Sequence, residues 1–341
     1  MWGLEAMAGQ DGPSAQHDAL IGQLAQAALS RWPVPADATV RLINLSENHT
    51  FLVKASDGFR AVLRVHRAGY HGRAAISSEL AWMDALQRDK VVEAPRYIIG
   101  CDGQPIQEVG MDGQVSPRFL VLFRFIPGHA PKADSALPAS FMRLGEIAAR
   151  MQRHAKGWPR PDGFRRPEWD DDAVFGPSPI WGNWRAAPNV DPAIRDVLEQ
   201  AEKTVCARLL RFGKGPGRFG LIHADMRLAN LLVEGDATRV IDFDDCGFGW
   251  FLYDFAAAIS FFETDPRIPE LKSAWLQGYR QVQRLSRAEE AEIDTFIMLR
   301  RLALLAWIGS HADAPEPQAL APHFASGTAE LAESWLRHLR G

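Results

Sequence analysis

Cysteine is scarce in this chain: Cys101, Cys206 and Cys246 lie far apart in 341 residues. An odd, sparse set of this kind excludes a disulfide framework, offers no metal-ligand spacing and points to a reducing compartment. Long apolar runs are missing as well. No stretch of about 18 residues is apolar enough to span a bilayer, and no basic segment leads into a short apolar one as a secretory signal would. Neither sign of charge dominates. With 38 Lys and Arg against 42 Asp and Glu, the net charge of -4 implies no general affinity for nucleic acid or an anionic membrane. Repeats and low-complexity tracts are absent. The expectation is a soluble cytoplasmic protein, monomer or homodimer, long enough for two lobes with a buried core.

The richest stretch is residues 221 to 255, LIHADMRLANLLVEGDATRVIDFDDCGFGWFLYDF. It contains His223-Ala224-Asp225, then Asn230, then Asp242-Phe243-Asp244 after the apolar Val240-Ile241. Phosphoryl transfer needs a group to orient and deprotonate the attacking hydroxyl, oxygen ligands for magnesium, and a cation for the anionic chain. Asp225 suits the first task, and Asn230 with Asp242 the second. Magnesium prefers a few hard oxygen ligands and keeps several waters, so one amide and one carboxylate suffice. Apolar runs predict strands at Phe219 to Ile222, Leu231 to Val233 and Arg239 to Ile241, the last two joined through Gly235-Asp236 as a hairpin. Asp225 and Asn230 then share one loop, and Asp242 emerges from the next strand.

This stretch resembles the catalytic core of the protein-kinase-like small-molecule phosphotransferases, among them aminoglycoside phosphotransferases, choline kinases, kinase-like homoserine kinases and a bacterial stress-response Ser/Thr kinase. The resemblance implies an α+β, bilobal protein-kinase-like fold, with a small antiparallel-sheet N-lobe and a larger, mainly helical C-lobe. It makes Asp225 the catalytic base and Asn230 and Asp242 the metal ligands, with ATP and Mg2+ as cofactors. His223 would brace the loop. Asp254, in Tyr253-Asp254-Phe255-Ala256, would start the next helix and bond back to the loop. Arg227, two residues past Asp225, stands where a cation can neutralise the transferred phosphoryl group; a solvated surface Arg is the alternative.

The resemblance calls for a nucleotide clamp in the N-terminal third. Strands are expected at Thr39 to Leu45, Thr50 to Ala55 and Arg60 to His66, with turns at Leu45 to Thr50 and Ser56-Asp57-Gly58. Glu47-Asn48-His49-Thr50 resembles the homoserine-kinase pattern, so Ser46 and Asn48 are candidates to cover phosphates; a simple hairpin turn is the alternative. Period-two alternation puts Val62, Arg64 and His66 on one face and Leu63 and Val65 on the other. Arg64 occupies the place of the phosphate-binding Lys, with Glu79 as its expected partner and Lys54 as a rival cation. The apolar strand Arg118 to Ile126 matches the hinge, where Phe123, Phe125 and Val62 would line the adenine slot.

The expected division is a loose N-terminus at 1–17, a nucleotide-clamp lobe at 18–126 and a catalytic and substrate lobe at 127–341. Helices are expected at Asp18 to Trp32, Ile76 to Met83, Phe141 to Arg153, Ile194 to Phe212, Ala256 to Glu263, Leu271 to Val282, Arg287 to His311 and Gly327 to Arg340. The irregular, Trp-rich segment Lys156 to Pro188 reads either as a substrate wall or as an insertion pinned down by its aromatics. Asp244 and Asp245 either face a cationic substrate or cap a turn. The expected activity is transfer of the γ-phosphoryl group of ATP to a small-molecule hydroxyl, that of an amino alcohol or an aminoglycoside-like acceptor. The alternatives are a protein Ser/Thr kinase of the stress-response type and a nucleotide-binding pseudokinase.

Overall fold

The computed structural model describes residues 13–45, 48–111, 115–131, 137–235 and 237–340. The chain divides into two compact units, residues 1–76 with 96–125 and residues 77–95 with 126–341. The first unit opens with α1 (Pro13–Ala28) and continues through β1 (Thr39–Leu45), β2 (His49–Lys54) and β3 (Arg60–Val65). Helix α2 (Arg73–Arg88) starts there and belongs to the second unit from Ser77 onward; β4 (Gln107–Met111) and β5 (Val115–Arg124) complete the first. These strands form one antiparallel sheet of order β1-β2-β3-β5-β4.

Alternation along β3 decides what each face of this sheet does. Leu63 and Val65 join Phe51, Val53, Leu120 and Leu122 in a core closed by Ile21, Leu24, Leu29 and Trp32 from the α1 segment. Val62 and Arg64 therefore occupy the opposite face, paired in register with Phe123 and Val121. Gly58 closes the β2–β3 turn with φ 88°, a left-handed conformation that suits glycine.

The second unit is mainly helical, and with the sheet of the first gives the expected α+β architecture. Its helices are α3 (Leu137–Gly157), α4 (Asp171–Phe175), α5 (Pro192–Phe212), α6 (Tyr253–Ala258), α7 (Ile268–Arg280), α8 (Arg287–Glu290), α9 (Ile293–Ser310) and α10 (Pro315–His338). Its strands are β6 (Glu168–Trp169), β7 (Phe219–Ile222), β8 (Leu231–Glu234), β9 (Ala237–Val240) and β10 (Gly247–Trp250). Strands β6-β10-β7 form a small mixed sheet, and β8 and β9 pair as the expected hairpin. Asp236, within its turn, lies outside the described residues. Helix α9 is buried at every position from Thr295 to Ile308, which makes it the central post of the unit.

Several boundaries differ from those expected. Helix α1 begins at Pro13, five residues before Asp18, because a proline at the first helical position lacks only an N–H with no intrahelical partner. The helix expected over Arg287 to His311 is two: Ser286 and Glu289 form a capping box that encloses one short turn before α9 begins. Helix α10 starts at Pro315 and carries Pro322 inside it, a residue that sequence rules read as a boundary. Strand β10 is not foreseen because of its glycines. A Cβ on Gly249 would lie 2.6 Å from Ile222 Cδ1, so here glycine permits close strand packing.

Helices α3 and α7 bring their backbones close together at two glycines. A Cβ on Gly145 would stand 1.9 Å from the Trp275 carbonyl oxygen, and one on Gly278 1.8 Å from that of Met142. Gly145→Ala or Gly278→Ala must push the helices apart and should cost at least ~1–3 kcal/mol, lowering Tm by several degrees. Gly157→Ala, with nothing within 4 Å of the added methyl, should leave Tm unchanged. Melting curves of the three variants test this, and a native Tm for Gly145→Ala rejects it.

Candidate active site

Strand β7 ends at Ile222 and delivers His223, Ala224 and Asp225 into a tight loop. Ala224 has φ 65°, unusual for a residue with a side chain, and its N–H donates to Asp254 Oδ1 at 2.9 Å. The fully buried His223 ring bridges two backbone groups: Nδ1 accepts from the Asp225 N–H at 3.3 Å, and Nε2 contacts the Ile241 carbonyl at 3.2 Å. An N–H can only donate and a carbonyl only accept, so this ring is neutral with its proton on Nε2. Burial pushes its pKa down to about 4, which agrees.

The Asp225 side chain is buried and surrounded by donors. Oδ1 accepts from Arg300 Nη2 at 2.7 Å; Oδ2 accepts from Asn230 Nδ2 at 2.7 Å and from Arg227 Nε at 3.3 Å. Burial pushes its pKa up, but the Arg227 and Arg300 guanidiniums outweigh that and hold it below the ordinary carboxylate value. Arg300 reaches this point from the middle of α9, 2% exposed, and also donates to the Ala224 carbonyl and the Ser260 hydroxyl. Its guanidinium lies 5.0 Å from the Trp181 ring centre and 5.7 Å from that of Tyr253. Arg227 also contacts Glu316 in the first turn of α10 at 3.4 Å and lies over Phe261, an aromatic held at φ 74°.

Asn230 and Asp242 are brought together through the backbone. Ile241 N–H donates to the Asn230 carbonyl at 2.9 Å, and Asp242 follows directly at φ 63°. Asn230 gives its amide N–H groups to the Asp225 carboxylate and to the Asp225 carbonyl, so its side-chain oxygen is the atom that could serve as a ligand. An amide oxygen and a half-buried carboxylate are hard donors and suit a small divalent ion. Phe243 turns inward between His223 and Trp82.

Asp254 does not cap α6, whose cap position is Leu252. It is fully buried within α6, where it accepts from the Ala224 N–H and, at 3.2 Å, from Gln152 Nε2. Burial pushes its pKa up to about 6. Cys246, four residues after Asp242, is a buried thiol raised to about 12 and therefore inert.

The nucleotide candidates lie in the first unit, apart from Glu79, which is fully buried on α2 in the second. Arg64 is buried with its guanidinium 5.1 Å from the Phe123 ring centre, whereas Lys54 is exposed at the end of β2. Val62 is half-buried beside Phe123 across the β3–β5 pair. Phe125 carries Arg60 over its ring at 4.2 Å. Asn48 is buried and accepts the Arg67 N–H at 3.1 Å, so part of its bonding capacity serves its own loop. Ser46 and Glu47 lie outside the described residues.

In the Trp-rich segment, Trp169, Trp181 and Trp184 are buried, and Asp170 caps α4 and pairs with Lys214. Sequence reasoning does not find Arg300. The available signal is a pair of arginines, Arg300 and Arg301, inside an otherwise apolar helix, since unpaired charges are rarely buried. Glu316 and Arg166 carry no comparable local signal.

Residues 39–292 match the phosphotransferase enzyme family. A solved structure of a microcompartment-associated aminopropanol kinase is 42% identical, with a TM-score of 0.86 over 93% of this chain and 98% of that one. The structure of an amicoumacin kinase in complex with AMP-PNP, Ca2+ and Ami is 20% identical, with a TM-score of 0.74 over 94% and 96%. The amicoumacin kinase of Bacillus subtilis (strain 168) is 22% identical over 275 residues, 78% of each chain.

His223 and Asp254 pull stability in opposite directions with pH. Between about 4 and 6.5 the unfolded chain protonates His223 and the folded chain does not, so this residue's contribution grows as pH rises and is complete above 6.5. Asp254, raised from 3.8 to about 6, holds its proton longer in the folded chain and lowers stability as pH rises through that window. The stability gap between the parent protein and His223→Asn should therefore shrink by on the order of 3 kcal/mol from pH 7 to pH 4. Urea unfolding across this range measures it, and a gap independent of pH would show that the ring is not held neutral.

Proposed function

The chain belongs to the phosphotransferase enzyme family, and we propose that it moves the γ-phosphoryl group of ATP to the hydroxyl of a small amino alcohol. The observation that carries this reading is the Asp225 carboxylate, buried, ionised and oriented by Arg300, Arg227 and Asn230. A base held in one orientation is what phosphoryl transfer asks of a protein. The aminopropanol kinase that is 42% identical supports the acceptor class.

Asp225 accepts the proton of the acceptor hydroxyl as the hydroxyl oxygen bonds to the γ-phosphorus and the bond from that phosphorus to the bridging oxygen breaks, with ADP as the leaving group. Arg300 and Asn230 fix the carboxylate plane, so that little reorganisation accompanies the step. Arg227, beside Asp225, offsets negative charge on the group in transfer. Asn230 through its amide oxygen and Asp242 through its carboxylate would hold a divalent ion, Mg2+ by the chemistry of these ligands, which would neutralise phosphate charge when bound. Arg64 on its sheet face is assigned to the ATP phosphates, for which a guanidinium offers a bidentate grip.

Radiolabelled ATP with amino alcohols, amino acids, aminoglycosides and model proteins identifies the acceptor, and an amino alcohol should give the highest kcat/KM. Asp225→Asn should lower kcat by roughly 10²–10⁴ while ATP with MgCl2 still raises Tm. Full-rate transfer by Asp225→Asn would falsify the assignment of the base. Asp242→Asn should keep the fold, because Asn also tolerates left-handed backbone, yet lose the Mg2+-dependent part of that Tm rise.

A further inference from the structure

Three successive backbone carbonyls after Asp242 are all bonded by one distant segment. Arg166 donates through Nη2 to the Asp244 carbonyl and through Nε to that of Cys246, and between them Trp169 Nε1 donates to the Asp245 carbonyl at 2.7 Å. The clamp continues into backbone pairing: Phe248 N–H donates to the Pro167 carbonyl at 2.8 Å, and β6 pairs with β10. Gly247 lets the two strands meet this closely, since a Cβ there would lie 2.4 Å from the Pro167 oxygen.

From this geometry we propose that Arg166 is a positioning residue, which with Trp169 holds the loop from Asp242 to Gly247 in the conformation that presents Asp242 to the metal. The proposal rests on the assignment of Asp242 as a metal ligand. Asp242 stands at φ 63°, and left-handed backbone outside glycine persists where the surroundings over-determine it. The carbonyl bonds of Arg166 and Trp169 begin two residues later and leave the loop little freedom.

Arg166 is a buried cation whose charge lies in the field of Glu79 on α2 and of Asp244 and Asp245 on the loop itself. Pinning an insertion to the surface would take only an apolar plug, which is easier to bury than a guanidinium. A planar fork that reaches two carbonyls at once does what a plug cannot, because it specifies the path of the backbone. The Arg165 N–H bonds Ser78 Oγ at 2.8 Å, so the segment also ties this loop to α2. Trp181 of the same segment lies against Arg300, which holds Asp225. The Trp-rich segment thus supports both carboxylates from behind.

The test uses the whole chain with Arg166→Lys, Arg166→Met and Trp169→Phe, the last keeping a buried aromatic ring while losing the indole N–H and some volume. For each, kcat, the KM of the amino alcohol and the MgCl2 concentration giving half-maximal rate are measured. The rise in Tm when MgCl2 is added to the ATP-saturated enzyme is measured separately. A positioning role predicts that Trp169→Phe and Arg166→Lys fold, need about tenfold more MgCl2, lose most of the Mg2+-dependent Tm rise and keep the acceptor KM. Arg166→Lys should retain more activity than Arg166→Met, because an ammonium still reaches one carbonyl. Unchanged Mg2+ dependence with a lowered Tm would overturn the proposal in favour of a structural anchor. A raised acceptor KM at unchanged kcat would overturn it in favour of a substrate wall. Asp242→Asn separates the two levels: if it keeps the full Mg2+-dependent Tm rise, the metal assignment itself fails, whatever the Arg166 variants do.

Discussion

An ionised carboxylate buried as deeply as that of Asp225 costs several kcal/mol unless protein donors replace the water it has lost. Much of the second unit is arranged to supply them. Arg300 comes from the middle of α9, Asn230 from the turn that starts β8, and Arg227 from the loop itself. Each donor carries its own requirement. Arg300 needs acceptors for its remaining N–H groups, found at Ala224 and Ser260, and aromatic faces at Trp181 and Tyr253. The Ala224 carbonyl is within its reach because Ala224 is left-handed, a conformation held by Asp254 through the Ala224 N–H. The network is thus closed, with buried polar groups bonded to one another from four separate parts of the chain.

His223 is held without charge by burial and links the backbone of Asp225 to that of Ile241, the residue before Asp242. The two strained loop residues, Ala224 and Asp242, therefore lie on either side of one imidazole. Departures from ordinary backbone geometry concentrate where chemistry is required, and here the surrounding bonds sustain them.

Local signals made much of this legible. Alternating apolar residues located β1, β2 and β3 and an apolar run β5, though not β4, and put Leu63 and Val65 on one face of the sheet and Val62 and Arg64 on the other; the structure makes the first of these the core face. The spacing of Asp225, Asn230 and Asp242 predicted one loop and the end of a neighbouring strand, and the backbone bond from Ile241 to Asn230 joins the two. Glycine was misleading at β10, where Gly247 and Gly249 read as a loop but serve close strand contact. Proline was misleading in α10, since a helix can carry Pro322 where tertiary packing outweighs one lost bond. The Trp-rich segment was legible as important, yet its composition could not separate a substrate wall from a support. That depends on which way buried indoles and a guanidinium point.

By itself the sequence determined the groups on offer, two carboxylates and an amide at fixed separations along a strand-loop-hairpin, because those relations are local and follow from chain geometry. The resemblance carried by those motifs also implied the α+β class, and the strands and helices marked by hydrophobic periodicity agree with it. Tertiary structure alone decided what surrounds Asp225. Arg300 lies 75 residues further along the chain and pairs with it only because α9 is buried on all sides and must find a partner for its charge. It likewise decided that Arg166 and Trp169 meet the carbonyls after Asp242. Contacts of that range depend on how whole elements pack, and the residues near either end do not name the partner, even where two arginines in an apolar helix signal that one is needed.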